Sequence, residues 1–491
     1  MANGSVKKRP VLTTGGKCLY GVGDFGFSLV TNTIASFFMF FGTAVCGVPG
    51  SLMGVAYSIA TVWDAITDPI VGYLSDRKRS VLFGRRHWYI FLSIFGMALV
   101  NVFLWNVPVN SSTAVKFLWF VGSLMLFNLM TTFFNTPNSA LSVEMTSDYN
   151  ERTTIQSVRS VFMLIGTILP TVLMSVLQSP TAQFPDGRYN PMSYTNMAFI
   201  TSSVLFLCGT LSFIGSFSQV PRLKAKLKDT ARPPKKSLFA IFADFFKVLK
   251  KPLYRNLILA YAISLIAVAF LTSAGFHVFT YTFKLPSLVM YALTAMLFLM
   301  TIFSQPLWMW VVKRYDKKRA VLAGVLTSIV GISYLVVIFV SRGAIPNDAI
   351  PYLLIPGLVL AGGGVGALYS MPIGMMGDAI TVEKMQTGID NTATYTGFMT
   401  LGNKLSQSVA LLIIGVLLDI IGFQEGSPTQ TASVEWGLGW ILFIGILASL
   451  IGGFVFFTKY SLRKSDIPNG EDDEKQVVNE VIIGDQTDLE G

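Results

Sequence analysis

The sequence predicts an all-α polytopic membrane protein with twelve transmembrane helices in two pseudo-symmetric six-helix bundles. Hydrophobic residues make up 52% of the 491 residues and charged residues only 13%, about half the charged share of a soluble globular chain. Apolar stretches longer than the ~20 residues that cross the hydrocarbon as a helix recur along the chain. A membrane β-barrel would instead show segments of ~10 residues with alternating hydrophobicity.

Twelve apolar stretches are expected to span the membrane. They are 19–46, 50–74, 88–107, 116–142, 154–178, 194–218, 254–283, 287–312, 320–341, 351–374, 393–422 and 436–459. The longest internal polar segment divides them six and six, and its lysine-flanked apolar face is typical of an interfacial helix. The predicted parts are a cytoplasmic N-terminal tail (1–18), a first bundle (19–220), a cytoplasmic middle loop with the interfacial helix (221–253), a second bundle (254–460) and a disordered cytoplasmic tail (461–491).

The distribution of Lys and Arg predicts the orientation. Of 37 such residues, 31 fall in the N-terminal tail, the loops after even-numbered spans and the C-terminal tail. Because cytoplasmic loops are enriched in these residues, both termini are expected in the cytoplasm, with the chain in the plasma or inner membrane. The net charge of +10 then faces membrane lipids, and no nucleic-acid partner is expected.

Two acids lie inside the second predicted span. Asp64 and Asp68 are four residues apart, so a helix places both carboxylates on one face. Charged groups at membrane depth are costly and mark functional sites. They are expected to share a proton or to hold Na⁺ or H⁺, with Li⁺ as a further candidate, beside the hydroxyl groups of Thr67 and Thr132. The alternative is that they pair with Arg or Lys and only join helices.

Other polar side chains in the spans are candidates for contact with a solute. Lys404 is expected near the midplane, where a lone lysine pairs with an acid or faces a wet cavity. Arg159 lies nearer the cytoplasm, where snorkelling outward is an equal alternative. Trp63 is able to stack on a sugar ring, although aromatic residues in spans more often serve packing. The remaining candidates are Asp24, Ser28 and Asn135.

The two halves carry similar loops after their second span. Asp76 and Asp316 are 240 residues apart, and each is followed by a basic cluster, which indicates an internal repeat. Parallel repeats of six spans are typical of transporters that bind a solute near the midplane. Ion pairs that are weak enough to exchange are expected to form a cytoplasmic gate at these loops. Its predicted members are Asp76, Arg77, Arg85, Arg86, Glu144, Arg152, Asp316 and Arg319.

The same offset shows a difference between the halves. Ser304 and Trp308 stand where the first half has Asp64 and Asp68, so cation chemistry is expected in the first half alone. The glycine-rich run 362–366 of the tenth span permits a close helix approach or a bend. An enzyme is not expected, because no nucleophile–base arrangement is visible among the two histidines and three cysteines, and His87 is expected at the surface of a basic loop.

Five motifs carry a family resemblance. They are Tyr20-Gly-Val-Gly-Asp-Phe-Gly26, Trp63-Asp-Ala-Ile-Thr-Asp-Pro69, Asn135-Thr-Pro137, Glu144-Met-Thr-Ser-Asp-Tyr-Asn-Glu-Arg-Thr153 and Gly402-Asn-Lys404. Through all twelve spans the chain resembles the glycoside–pentoside–hexuronide:cation symporters, which have the major facilitator fold. The resemblance implies a monomeric symporter that moves a sugar or glycoside with a cation by alternating access, and that contains no cofactor.

The resemblance also implies roles for individual residues. Asp64 and Asp68 match the family's cation-binding acids, and Thr67 and Thr132 stand at the positions of neutral ligands. Lys404 matches a buried lysine that links the cation and sugar regions, and Arg159 approximately matches a sugar-site arginine.

The sequence departs from the galactoside carriers of this family at two positions. Ser28 and Asn135 replace acids that hold the sugar there, which argues against galactoside specificity and leaves Arg159 and Lys404 to favour an anionic substrate. A related animal branch carries lysophospholipids with sodium and shares the paired acids, so a lysophospholipid symporter is the alternative. A non-transporting membrane receptor or scaffold is a more remote one.

Overall fold

The computed structural model describes residues 12–77, 86–146, 149–221, 223, 250–387 and 392–462, and its regular elements within these ranges are all helical. The long helices are α1 (Thr14–Phe40), α2 (Gly50–Arg77), α3 (His87–Trp105), α4 (Thr113–Glu144), α5 (Tyr149–Leu177), α6 (Pro191–Phe217), α7 (Pro252–His277), α8 (Ser287–Phe303), α9 (Gln305–Arg314), α10 (Lys317–Ser341), α11 (Ile350–Thr387), α12 (Thr392–Ile420) and α13 (Ala432–Thr458).

Membrane spans follow from helix length and composition. In the described part of the chain, eleven helical stretches are long and apolar enough to cross a bilayer, α8 and α9 together forming one of them. The helix α2 is not among the eleven, yet its 28 residues extend about 42 Å at 1.5 Å per residue, more than the ~30 Å of hydrocarbon. The predicted twelve-helix membrane fold is confirmed, with α2 as the twelfth helix.

The internal repeat appears in local geometry and in packing. Both α1 and α7 end in a five-residue π-helical turn, at Phe41–Val45 and Val278–Thr282. The pairs α1–α6, α2–α4, α3–α4 and α3–α6 of the first half pack as α7–α13, α8–α11, α10–α11 and α10–α13 do in the second. Four helix pairs therefore make equivalent contacts in the two halves.

Glycines explain the close packing of α1. An added side chain at Gly21 would collide with Val158 of α5, and one at Gly23 with Ser212 of α6. At Gly26 it would collide with the backbone of Leu205. The glycines of the first sequence motif are therefore packing residues, because small residues let membrane helices approach closely.

The described residues form two compact units. One comprises the described residues through Leu223 together with Gly415–Gln430, and the other the described residues from 250 to Ile414 and from Thr431 onward. The predicted bundles 19–220 and 254–460 remain predictions, since Gly415–Gln430 groups with the first unit. The interfacial helix predicted in 221–253 and the disorder predicted for the tail 461–491 lie outside the described residues, except at their ends.

One local expectation needs correction, and one span has an internal break. The eighth span is present as Ser287–Arg314, with a break at Ser304, where α8 ends and α9 begins with Pro306 in its first turn, because proline cannot donate the helical hydrogen bond. His87 is wrong as a surface residue: it is 1% exposed, and its Nε2 lies 3.1 Å from Ser216 Oγ of α6. His87 is the first residue of α3, and its imidazole packs against α6. It is therefore not part of the surface of the preceding basic loop.

Candidate functional site: an acidic cluster between α2 and α4

Three side chains of the first unit converge inside the membrane-spanning region. Thr132 of α4 places its Oγ1 2.9 Å from Asp64 Oδ1 and 2.8 Å from Asp68 Oδ1. Asp64 is 7% exposed and Thr132 is 2% exposed. The two carboxylates are one turn apart on α2, so the i, i+4 spacing seen in the sequence does bring them onto one face. The structure thus joins three of the four residues predicted to bind a cation.

The hydroxyl group of Thr132 has only one hydrogen to donate. It makes two short contacts to two carboxylate oxygens, so at most one of them is a full hydrogen bond from the hydroxyl. A proton on one carboxyl group, or a small cation beside the three oxygens, is compatible with both short contacts. Two acids in a region of low dielectric also favour binding of one positive charge.

The fourth predicted ligand, Thr67, uses its hydroxyl hydrogen locally. Thr67 Oγ1 donates to the backbone carbonyl of Asp64 at 3.2 Å, and the residue is 5% exposed. A threonine that bonds back along its own helix still has acceptor lone pairs. Its role as a cation ligand therefore stays a prediction.

Arg159 is part of a buried ion pair. Its Nε and Nη2 donate to Asp24 Oδ2 and Oδ1 at 2.7 and 2.9 Å, and both side chains are less than 10% exposed. Its guanidinium carbon lies 5.8 Å from the ring centroid of Tyr20, whose hydroxyl donates to the carbonyl of Asn138. The bidentate geometry compensates the charge of Arg159. Arg159 therefore does not snorkel outward, and substrate contact by Arg159 or Asp24 stays a prediction.

The other candidate substrate residues differ in accessibility. Ser28 is 2% exposed and donates to the carbonyl of Met163 at 2.7 Å, so it contributes to the packing of α1 on α5. Asn135 is exposed on α4, as is Ser139 one turn further along. Trp63 of α2 and Lys404 of α12 are half-buried. Substrate contact by any of them stays a prediction.

Among the predicted gate residues that the structure describes, Arg86 and Glu144 form an ion pair. Arg86 donates to Glu144 Oε1 from Nε (3.2 Å) and Nη2 (2.7 Å), and from Nη1 to Ser75 Oγ at 2.7 Å. Arg85 and the side chains of Asp76, Arg77 and Arg152 lie outside the described residues. Asp316 caps the start of α10 without a side-chain hydrogen bond from the helix. Arg319 is exposed, 6.0 Å from the ring centroid of Tyr315.

The second unit contains an ion pair at a similar place that the sequence reasoning missed. Lys317 Nζ lies 2.6 and 2.7 Å from the two carboxylate oxygens of Asp378. It joins the start of α10 to α11, as Arg86 joins the start of α3 to α4. The 240-residue offset does not find this pair, because it leads from Arg86 and Glu144 to Leu326 and Lys384.

Comparisons with known proteins agree with this fold. Residues 19–464 match the family model described as MFS/sugar transport protein. The chain is 24% identical to the uncharacterized symporter sll1374 of Synechocystis sp. over 91% of this chain and 94% of that protein. It is 22% identical to the sodium-dependent lysophosphatidylcholine symporter 1 of Mus musculus over 93% and 87%.

A solved structure supports the fold independently of sequence identity. The bacterial homologue of the human lysosomal transporter Spinster superposes with a TM-score of 0.62 at 11% identity, over 94% of this chain and 99% of that one. A structural similarity at this low sequence identity shows the fold alone. The family model matches most of the chain and therefore shows the family. The chain is an integral membrane protein and a transporter, not an enzyme, and it belongs to the MFS/sugar transport protein family.

Proposed function

We propose that this protein is a cation-coupled symporter that moves a sugar or glycoside across the membrane, with Na⁺ or H⁺ bound at Asp64, Asp68 and Thr132. The observation that carries the proposal is the convergence of both carboxylates on one hydroxyl group. Two of the relatives described above are named symporters, which supports cation coupling.

Coupling follows from charge. Without a cation, two adjacent carboxylates in the membrane interior disfavour closure of the site against water. A bound cation removes most of that cost, so the cation and the substrate raise each other's affinity by the same factor. The loaded protein then changes access by the rocking of two repeats that is general for such transporters.

The neutral polar groups of the first unit support a sugar as the substrate. Asn135 and Ser139 are exposed although they lie within a membrane span, and polar groups at that depth face a wet cavity rather than lipid. An amide and a hydroxyl group both donate to and accept from sugar hydroxyl groups. Arg159 Nη2 also lies 3.5 Å from Ser139 Oγ, but its charge is offset by Asp24, which supports a neutral sugar or glycoside over an anion.

A lysophospholipid is the second candidate substrate. It is supported by the name of the Mus musculus relative, which the chain matches over most of its length. Both candidates need the same acids, so the cation site does not discriminate between them. A thermal-shift screen of the purified protein against sugars, uronides and lysophospholipids, with and without sodium, separates them, because only a bound solute raises the melting temperature.

Orientation and gating are parts of the same proposal. The distribution of Lys and Arg supports cytoplasmic termini in a plasma or inner membrane. The pairs Arg86–Glu144 and Lys317–Asp378 are then cytoplasmic and exchange partners as access alternates. The protein is proposed to act as a monomer, with the coupling cation as its co-substrate.

The decisive experiment is transport by Asp64→Asn and Asp68→Asn variants in proteoliposomes. Each is expected to lose cation-driven accumulation of the solute found in the screen, while passive exchange persists because the substrate groups remain. Asp348→Asn in the 3₁₀ turn Asn347–Ala349 is the control, since it removes a carboxylate far along the chain from α2. Unchanged uphill uptake by both α2 variants would falsify the proposal.

A further inference from the structure

A second polar contact joins α2 and α4 one turn before the acidic cluster. Asn128 Nδ2 donates to the backbone carbonyl of Ala60 at 3.0 Å. Asn128 precedes Thr132 by four residues, and Ala60 precedes Asp64 by four. Both contacts therefore have the same register, and the two helices run parallel through this region.

The carbonyl of Ala60 is connected to Asp64 through the backbone. In an α-helix this carbonyl accepts the N–H of the residue four positions later, which here is Asp64. Asn128 thus attaches α4 to the peptide group that holds the backbone of Asp64. Ala60 is 1% exposed, so its small side chain brings α4 close enough for the amide of Asn128 to reach the carbonyl.

We infer that Asn128 is a positioning residue for the cation site, and this inference rests on the proposed function. Its hydrogen bond fixes the height of α4 along α2, and thereby keeps the Thr132 hydroxyl group between the two carboxylates. Apolar packing alone tolerates small shifts between helices. A shift of about 1 Å along α2 would take at least one of the contacts of 2.8 and 2.9 Å beyond hydrogen-bonding distance.

The expected effect is moderate. Hydrogen bonds between membrane helices contribute about 0.6 kcal/mol on average and up to ~1.7 kcal/mol. If the whole contribution is expressed in cation binding, removal of the amide weakens sodium binding about 3- to 15-fold. The acids remain in place, so binding is weakened and not lost.

The second unit offers a matched control. Gln305 Nε2 of α9 donates to the carbonyl of Gly366 in α11 at 2.9 Å. It is also a side-chain amide that bonds to the backbone of a partner helix, in the equivalent helix pair. Gln305→Leu therefore removes the same kind of contact without touching the acidic cluster.

The test is a sodium chloride titration of the purified full-length protein, with choline chloride at equal ionic strength and melting temperature as the readout. A second arm titrates pH without sodium, in case the proton is the coupling ion. Asn128→Leu is expected to raise the half-saturating cation concentration about 3- to 15-fold. Asn128→Gln is expected to restore the wild-type concentration because its amide still reaches the carbonyl. Gln305→Leu is expected to leave the concentration unchanged.

The outcomes separate this inference from the proposed function. If Asp64→Asn loses the cation response while Asn128→Leu keeps the wild-type half-saturating cation concentration, the positioning role of Asn128 is overturned and the proposed function stands. No cation response in the wild-type protein overturns both. If Asn128→Leu does not fold, Asn128→Ser replaces it, and a midpoint equal to that of the wild-type protein again contradicts the inference.

Discussion

The helix pair α2–α4 of the first unit and the pair formed by α8 and α9 with α11 in the second occupy the same place in the repeat. Their polar atoms differ in kind. In the second unit, neutral donors bond to backbone carbonyls: Thr301 Oγ1 to Gly362 at 3.0 Å, Gln305 Nε2 to Gly366 at 2.9 Å and Trp308 Nε1 to Gly363 at 2.7 Å. In the first unit, one such bond, from Asn128, lies beside two carboxylates that share a hydroxyl group.

This difference shows how one architecture serves two purposes. A neutral donor on a carbonyl is satisfied in every state of the protein, so the second unit's helix pair is joined permanently. Two carboxylates that contact one hydroxyl group in a region of low dielectric gain from a further positive charge. Of the two equivalent helix pairs, one is thus a structural element and the other a candidate ion switch.

The largest effect is expected at the buried pair Arg159–Asp24. It tests whether this ion pair of the first unit stabilises the fold. Arg159→Gln leaves the buried carboxylate of Asp24 without its bidentate partner, which is expected to cost about 3–5 kcal/mol of unfolding free energy. Denaturant or thermal unfolding of the purified protein measures it. The double variant Asp24→Asn/Arg159→Gln is expected to recover part of the loss; a single variant as stable as the wild-type protein would contradict a structural role.

The second test compares the same substitution in both units. Thr132→Val removes the hydroxyl group between the acids, and since hydrogen bonds to charged groups contribute about 1.5–3 kcal/mol, sodium affinity should fall about 10- to 100-fold. Thr301→Val removes a neutral bond and should lower stability by about 0.6 kcal/mol without changing sodium affinity. Sodium titrations of both variants check this, and equal effects would erase the proposed difference between the units.

The smallest effects are expected at the gate pairs. Lys317 is 33% exposed and Asp378 17%, so their coupling energy should not exceed ~1 kcal/mol. Arg86 is 7% exposed and also bonds to Ser75, so its coupling to Glu144 should be larger. Double-mutant cycles for both pairs measure the two energies; a stronger coupling in the second unit would reverse the expected order.

The sequence predicted those features that depend on spacing. The twelve spans, the repeat and the shared face of Asp64 and Asp68 follow from hydropathy and helical periodicity, and the structure has all three. Thr132 was predicted as a neutral oxygen near the acids and was assigned the same role by the family resemblance, although no spacing rule relates residues 68 positions apart.

Features that depend on packing between helices were not predicted. The partner of Arg159, the burial of His87 and the bond from Asn128 to Ala60 each join residues of different helices. A single sequence does not specify which faces meet, so a buried arginine was compatible both with snorkelling and with binding. The glycines of α1 had the same ambiguity until their contacts with α5 and α6 were visible.

The most direct test of the central claim is the number of cations bound at the acidic cluster. The purified protein is titrated with sodium at alkaline pH, and the heat of binding and the release of protons are measured. The result should be one monovalent cation bound, or one proton exchanged, per chain. Asp64→Asn should give neither. Equal cation binding and proton release in the wild-type protein and in Asp64→Asn would contradict the account.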